Sequence, residues 1–271
     1  MPTDRVPTLA DLRERFADLE SVVVALSGGV DSGLVLKLAH DTLGERVVAL
    51  TAVGPAVAAR ELADAKALAA QVGVTHRIVS SREIEDPNYR KNPSNRCYFC
   101  KSELYRITDT VREELGFRWV VNGTNADDLG DHRPGLLAAD EARVRSPLAE
   151  AGLRKVEVRQ FAQRLGLPVH DKPAAPCLAS RIPYGTEVTP ERLQQIEDVE
   201  TGLRALGFRE FRVRFHGPLA RIEVAEEELA AAFEARAQIV DIGRVAGFSF
   251  VSLDLQGFVS GNLNRLLPVI S

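Results

Sequence analysis

Ser27-Gly28-Gly29-Val30-Asp31-Ser32 joins an apolar run to an amphipathic one. Before it, Val22-Val23-Val24-Ala25-Leu26 is short, β-branched and uninterrupted, the pattern of a strand buried on both faces. After it, Leu34, Leu36, Leu38 and Leu43 alternate with Lys37, His40 and Asp41 until Gly44, which predicts a helix and its stop. The six residues are therefore a strand-to-helix turn. Two adjacent glycines let successive N–H groups converge, and the helix N-terminus adds partial positive charge. Such a turn suits a phosphate or pyrophosphate. Ser27 and Ser32 can donate hydroxyl hydrogen bonds to the same anion, and Asp31 can hold the Mg2+ that accompanies it.

Two other phosphate turns are excluded. No Gly-Lys-Ser/Thr follows, so this is not a Walker A loop, and the glycine spacing is not Gly-x-Gly-x-x-Gly. The hexapeptide resembles the Ser-Gly-Gly-x-Asp-Ser signature of the PP-loop ATP pyrophosphatases. That resemblance implies a HUP-like α/β domain that binds ATP, cleaves it between the α and β phosphates and uses AMP to activate a carboxyl, carbonyl or amide carbon. The bland alternative is a Gly-rich βα turn with Ser and Asp as helix caps.

At 271 residues the chain can bury about three quarters of its unfolded surface, enough for one large domain and a small one. With 45% hydrophobic and 27% charged residues it has the composition of an ordinary globular protein. No apolar run approaches the ~20 residues of a membrane span, and Met1-Pro2-Thr3-Asp4-Arg5 does not open a signal peptide, so no membrane partner is expected. A net charge of −4 argues against a broad nucleic-acid surface. Three cysteines, an odd number, predict no disulfide framework and a reducing cytoplasm.

Strands at Arg46–Ala52, Thr75–Val79 and Trp119–Val121 alternate with helices at Val57–Val72 and Tyr98–Leu115, after a leading helix at Thr8–Leu19. The alternation predicts a doubly wound parallel sheet, with ligands beyond the carboxyl ends of its strands. Ser27-Gly28-Gly29 and Gly123-Thr124-Asn125 both fall at such ends. After Pro183-Tyr184-Gly185 the pattern changes to a helix at Pro190–Leu206, strands at Phe211–Phe215 and Ala220–Val224, a helix at Glu226–Ala237 and a strand at Phe248–Leu255. The expected organisation is a nucleotide domain over 1–185 and a smaller α/β domain over 186–271, for substrate binding or oligomerisation.

Cys97-Tyr98-Phe99-Cys100 places two thiols one turn apart at a helix start, where the thiolate is favoured, and Cys177 stands far away between prolines. Buried structural cysteines, a redox pair, a zinc site lacking a fourth ligand, and a three-cysteine iron–sulfur cluster with one open iron all stay open on the residues alone.

Asn92–Lys101, Gly123–Gly135, Pro176–Gly185 and Leu253–Phe258 together resemble the LarE family, over a span from about Ser21 to about Asn262. LarE-type enzymes are ATP-dependent sulfur transferases that help build the nickel-pincer nucleotide cofactor of lactate racemase. The resemblance implies a small-molecule substrate, pyridinium-3,5-biscarboxylic acid mononucleotide, whose carboxylates are adenylated and converted to thiocarboxylates. It implies one of two sulfur sources. Either Cys177 gives up its own sulfur and becomes dehydroalanine, or Cys97, Cys100 and Cys177 hold a [4Fe-4S] cluster whose open iron carries a hydrosulfide. Having all three cysteines, this chain matches the cluster type. The resemblance further implies a homo-oligomer, a hexamer built as a trimer of dimers, and hand-over of product to the nickel-inserting enzyme of the pathway.

The expected site follows. Ser27, Gly28, Gly29, Asp31 and Ser32 hold ATP with its Mg2+, and Gly123 and Thr124 face the nucleotide. Asp127 or Asp128 is a further metal ligand or a mere cap. Arg212 and Arg214 alternate with Phe211, Val213 and Phe215, so both point to one face of a strand, and the resemblance gives them the substrate phosphate. Arg181 is a weaker candidate for the carboxylate or the α-phosphate. His170 and His216 are expected to be structural. The rivals are a tRNA-thiolating PP-loop enzyme, disfavoured by the net charge, a glutamine-dependent synthetase of the NAD or GMP type, and a non-enzymatic ATP-sensing or metal-storage module.

Overall fold

The computed structural model describes residues 7–130 and 134–259. Asp131, His132 and Arg133 of the second LarE-like segment, and the end of the resemblance near Asn262, lie outside the described residues. In chain order the elements are α1 (Leu9–Ala17), β1 (Val22–Ala25), α2 (Val30–Leu43), β2 (Val47–Val53), α3 (Ala59–Val72), β3 (His76–Ser80), α4 (Pro87–Arg90), α5 (Arg96–Leu115), β4 (Trp119–Val121), α6 (Pro134–Glu141), α7 (Pro147–Glu150) and α8 (Lys155–Arg164). There follow α9 (Pro190–Ala205), β5 (Phe211–His216), β6 (Leu219–Val224), α10 (Leu229–Glu234), α11 (Arg236–Val245) and β7 (Phe250–Leu253).

These fall into two compact units, Met1–Glu83 with Asn95–Ala175, and Ile84–Ser94 with Pro176–Ser271. The division comes at Ala175–Pro176, ahead of the expected boundary near residue 186. Residues 84–94 go with the later unit because buried Asn92 donates from Nδ2 to the carbonyls of Ile182, Pro183 and Thr186, at 3.2, 2.8 and 3.0 Å.

The first unit holds a four-stranded parallel sheet in the order β3-β2-β1-β4. β1 is buried along its whole length, which is why its sequence is an unbroken apolar run. Val22 and Val24 pack with Leu12 and Phe16 of α1, Leu34 and Leu38 of α2, Leu68 of α3 and Phe161 of α8. Val23 faces the other way, with Leu50, Ile107 and Val111 of β2 and α5. Helices thus cover both faces, the doubly wound arrangement the alternation predicts. Local signals fix the helix ends: Thr8 and Asp11 form a capping box on α1, and Gly73 closes α3 with φ of 84°. No helix among the described residues is long and apolar enough to cross a membrane.

The second unit holds a three-stranded sheet, β5-β6-β7, with β5–β6 an antiparallel hairpin and β6–β7 parallel. Phe211, Val213, Ile222 and Val224 are buried on one face, and α9 buries Leu193, Ile196, Val199 and Leu203. Two expectations are corrected. The helix over Glu226–Ala237 is a single 3₁₀ turn at Glu226–Glu228, then α10, then a break at Ala235 and a separate α11. α11 has its own buried stripe, Ile239 and Gly243, and packs Ile242 against Gly202 of α9, so it runs on to Val245. The last strand shortens to β7 because Phe248 turns into the core.

Candidate active site

β1 lies between β2 and β4, so the sheet reverses its strand order at the edge where the turn after β1 meets the end of β4. Backbone meets backbone there. A Cβ on Gly123 would stand 2.6 Å from the Ser32 nitrogen at the start of α2. Gly28 adopts φ of +75°, and a Cβ on it would stand 2.9 Å from both the Glu61 carbonyl oxygen and the Ala65 nitrogen of α3. Only glycine serves at these two positions.

The hydroxyls of the turn are organised before any ligand arrives. Ser32 Oγ donates to Gly29 O at 3.2 Å, accepts from the Ser27 backbone N–H at 3.2 Å and lies 3.1 Å from Ser27 Oγ. Gly29 is the N-cap of α2 and supplies no side-chain cap, which leaves the helix start to backbone N–H donors. The backbone of Thr124 is fixed: its N–H donates to Asn122 Oδ1 at 3.0 Å and its carbonyl accepts from Ala149 N–H at 3.1 Å. Asn122 is itself held by Tyr105 and Ser146.

Asp31 stands at the centre with partners that the sequence reading missed. Its Oδ1 accepts from Nδ2 of the buried Asn125 at 3.0 Å, and its Oδ2 accepts from Lys155 Nζ. Asp127 takes the Lys155 backbone N–H at 2.9 Å, and Asp128 takes the Asn125 N–H at 3.0 Å. Both aspartates therefore brace the residues around Asp31. Lys172, behind the turn, donates to the Gly28 carbonyl. Lys155 and Lys172 come from α8 and the segment after it, 124 and 144 positions from their partners, and carry no local motif.

Cys97 and Cys100 occupy the first turn of α5 in the same unit, Cys97 exposed and Cys100 half-buried. Tyr98 between them donates to Glu141 of α6 at 2.7 Å. Cys177 belongs to the other unit, so the three thiols are divided two and one, and none is in a disulfide. Among the described residues, no three His, Cys, Asp or Glu side chains are grouped to hold a metal ion.

The second unit brings Cys177, Arg181, Arg212 and Arg214 together. Cys177 is exposed and caps a short turn, with its carbonyl accepting from Ser180 N–H at 2.9 Å and from Arg181 Nη1 at 3.1 Å. Arg181 is buried, forks onto Glu200 at 2.8 and 3.1 Å and also reaches Pro176 O at 2.5 Å. Its guanidinium therefore positions the Cys177 turn. Arg214, also buried, is paired with Glu223 at 2.8 Å and donates to Ser180 O at 3.2 Å. Arg214 is thus held by a buried carboxylate and not left to solvent. Arg212 differs: it lies 4.8 Å over the Phe258 ring and donates to Phe211 O at 2.7 Å. Burial, then the nearby Arg181 charge, pushes its pKa down to about 10. A cation held in such a place favours an incoming anion. His216 sits at the hairpin end, with its pKa lowered by partial desolvation and then by Arg221 and Arg214, and His170 Nδ1 bonds Leu167 O at 3.0 Å.

Residues 10–94 match the model of the NAD synthase family. The chain is 48% identical over 261 residues to an uncharacterized protein of Synechocystis sp., covering 96% of this chain and 97% of that one. It is 37% identical over 259 residues to the pyridinium-3,5-bisthiocarboxylic acid mononucleotide synthase of Lactiplantibacillus plantarum, covering 95% and 94%. A tRNA-specific 2-thiouridylase of Xanthobacter autotrophicus is 32% identical over 191 residues, which covers only 56% and 49%.

Proposed function

The chain belongs to the LarE family, that of pyridinium-3,5-bisthiocarboxylic acid mononucleotide synthase, and on that premise we propose that it adenylates the carboxylates of a pyridinium-3,5-biscarboxylic acid mononucleotide with ATP and replaces the AMP by sulfur. The observation that carries this reading is the turn after β1, where two serine hydroxyls, a helix start and Asp31 converge beside Lys155.

A carboxylate is a poor electrophile until it carries a good leaving group. One of its oxygens attacks the α-phosphorus, the bond to the β-phosphate oxygen breaks, and pyrophosphate departs. The N–H groups of the turn and the Ser27 and Ser32 hydroxyls face that departing charge, and Lys155 supplies a cation beside it. Asp31 would hold Mg2+, whose chemistry is to offset charge on the leaving pyrophosphate. The Lys155 ammonium on Asp31 fixes the orientation of that carboxylate. Arg212 takes an anionic group of the mononucleotide, while Arg181 and Arg214 hold the turn carrying Cys177.

For sulfur delivery we favour the three-cysteine reading. What supports it is the resemblance and the presence of all three cysteines, none in a disulfide: three thiolates suit a cluster with one open iron better than zinc, which wants four ligands. Cys97, Cys100 and Cys177 would hold a [4Fe-4S] cluster, which supplies sulfur at the iron that no cysteine ligates. Sacrifice of Cys177 is the competing outcome. Product analysis tests the reading: pyrophosphate from the first half-reaction and AMP once sulfur displaces it support it, and ADP with inorganic phosphate contradicts it.

A further inference from the structure

The turn after β1 rests on one half-buried ammonium. Lys172, whose side chain is 12% exposed, donates from Nζ to Gly28 O at 3.1 Å and to Glu61 Oε2 at 2.8 Å, and lies 2.7 Å from Asp64 Oδ2. An ammonium has three donors, and here they meet one carbonyl and two carboxylates of α3. The backbone of Lys172 is fixed in turn. Arg159 of α8 donates to Lys172 O at 2.9 Å and to His170 O at 2.8 Å, and Lys172 N–H donates to Val169 O at 3.1 Å. All of these residues lie in the first unit.

The Gly28–Gly29 peptide is where such a brace matters. A trans peptide points its C=O and N–H in opposite directions. Holding Gly28 O toward Lys172 and α3 therefore sends the Gly29 N–H to the opposite side, at the start of α2. Flanked by two glycines, this peptide plane has no Cβ on either side to hinder its rotation. A flip would exchange an N–H donor for a carbonyl oxygen at the place where an anion binds, turning attraction into repulsion.

We propose that Lys172 is a positioning residue that locks the Gly28–Gly29 peptide in its anion-receiving orientation. The proposal rests on the ATP reading above. Calorimetry with MgATP and, separately, with adenosine tests it on the full chain. Lys172→Met should weaken MgATP binding roughly tenfold to a hundredfold, the range of a hydrogen bond to a charged group, while adenosine affinity stays within about threefold. The triple variant Glu61→Gln/Asp64→Asn/Lys172→Met removes the uncompensated carboxylates, so it should melt close to wild type and still bind MgATP as weakly as Lys172→Met. MgATP affinity at the wild-type level in the triple variant would overturn the proposal, because the ammonium would then only balance charge. Failure of the wild-type chain itself to bind MgATP would overturn the ATP reading, and this proposal with it.

Discussion

Asp31 meets a cation on one carboxylate oxygen and an amide on the other. Replacing it by asparagine keeps the shape and removes the charge, and pyrophosphate release should fall about 10²–10³-fold, the scale of losing one preorganised electrostatic contact. Lys155→Met should lower the same rate about tenfold to a hundredfold, read as pyrophosphate released per minute at saturating MgATP and mononucleotide. Two arginines on one strand should part company. Arg212→Ala should cost about 1.5–3 kcal/mol of mononucleotide binding and leave ATP binding unchanged, measured by calorimetry. Arg214→Ala should instead destabilise the fold by about 3 kcal/mol in urea unfolding, at the lower end for a broken buried pair because Arg221 stays on Glu223 at 2.9 Å.

At the scale of elements, the site depends on how closely β4, α2 and α3 approach. Gly123→Ala puts a methyl 2.6 Å from the Ser32 nitrogen, so it should cost about 1–3 kcal/mol and reduce ATP turnover together, unlike a surface change. β3 is tied to β2 where Thr51 Oγ1 lies 2.8 Å from His76 Nε2 and donates to Leu26 O, just before the phosphate turn. Burial and then Lys66 hold His76 below its ordinary 6.5, so the unfolded chain takes up the proton first. Stability is therefore full above 6.5 and declines as pH falls through it, with His216 adding the same sign. The denaturant midpoint should drop between about pH 7 and pH 5, and less so in His76→Gln. The central strands and the turn were legible because each is written in consecutive residues: a run buried on both faces, then glycines and hydroxyls at a helix start. Lys155, Lys172 and Asn125 were not, since only tertiary packing brings them to Asp31 and Gly28. Arg212 and Arg214 were legible as a same-face pair, but the Glu223 of β6 that holds Arg214 and the Glu200 of α9 that holds Arg181 are brought in only by packing, so those pairings were hidden.

At the scale of the whole molecule, the turn proposed for ATP and two thiols belong to one compact unit, and Cys177 with Arg181, Arg212 and Arg214 belongs to the other. Cys97→Ser/Cys100→Ser should abolish iron binding by anaerobically prepared protein while sparing pyrophosphate release from ATP in the presence of the mononucleotide. Intact-mass spectrometry after turnover should leave Cys177 unchanged, and dehydroalanine at that position without prior iron would replace the cluster by sacrifice of Cys177. The most direct measurement mixes the protein anaerobically with ATP, Mg2+, the pyridinium biscarboxylic mononucleotide and sulfide, and quantifies nucleotide and pyridinium products together. We expect AMP, pyrophosphate and thiocarboxylate to form in equal amounts, with none when the mononucleotide is omitted. ADP and inorganic phosphate, or AMP formed without any sulfur entering the mononucleotide, would contradict the assignment.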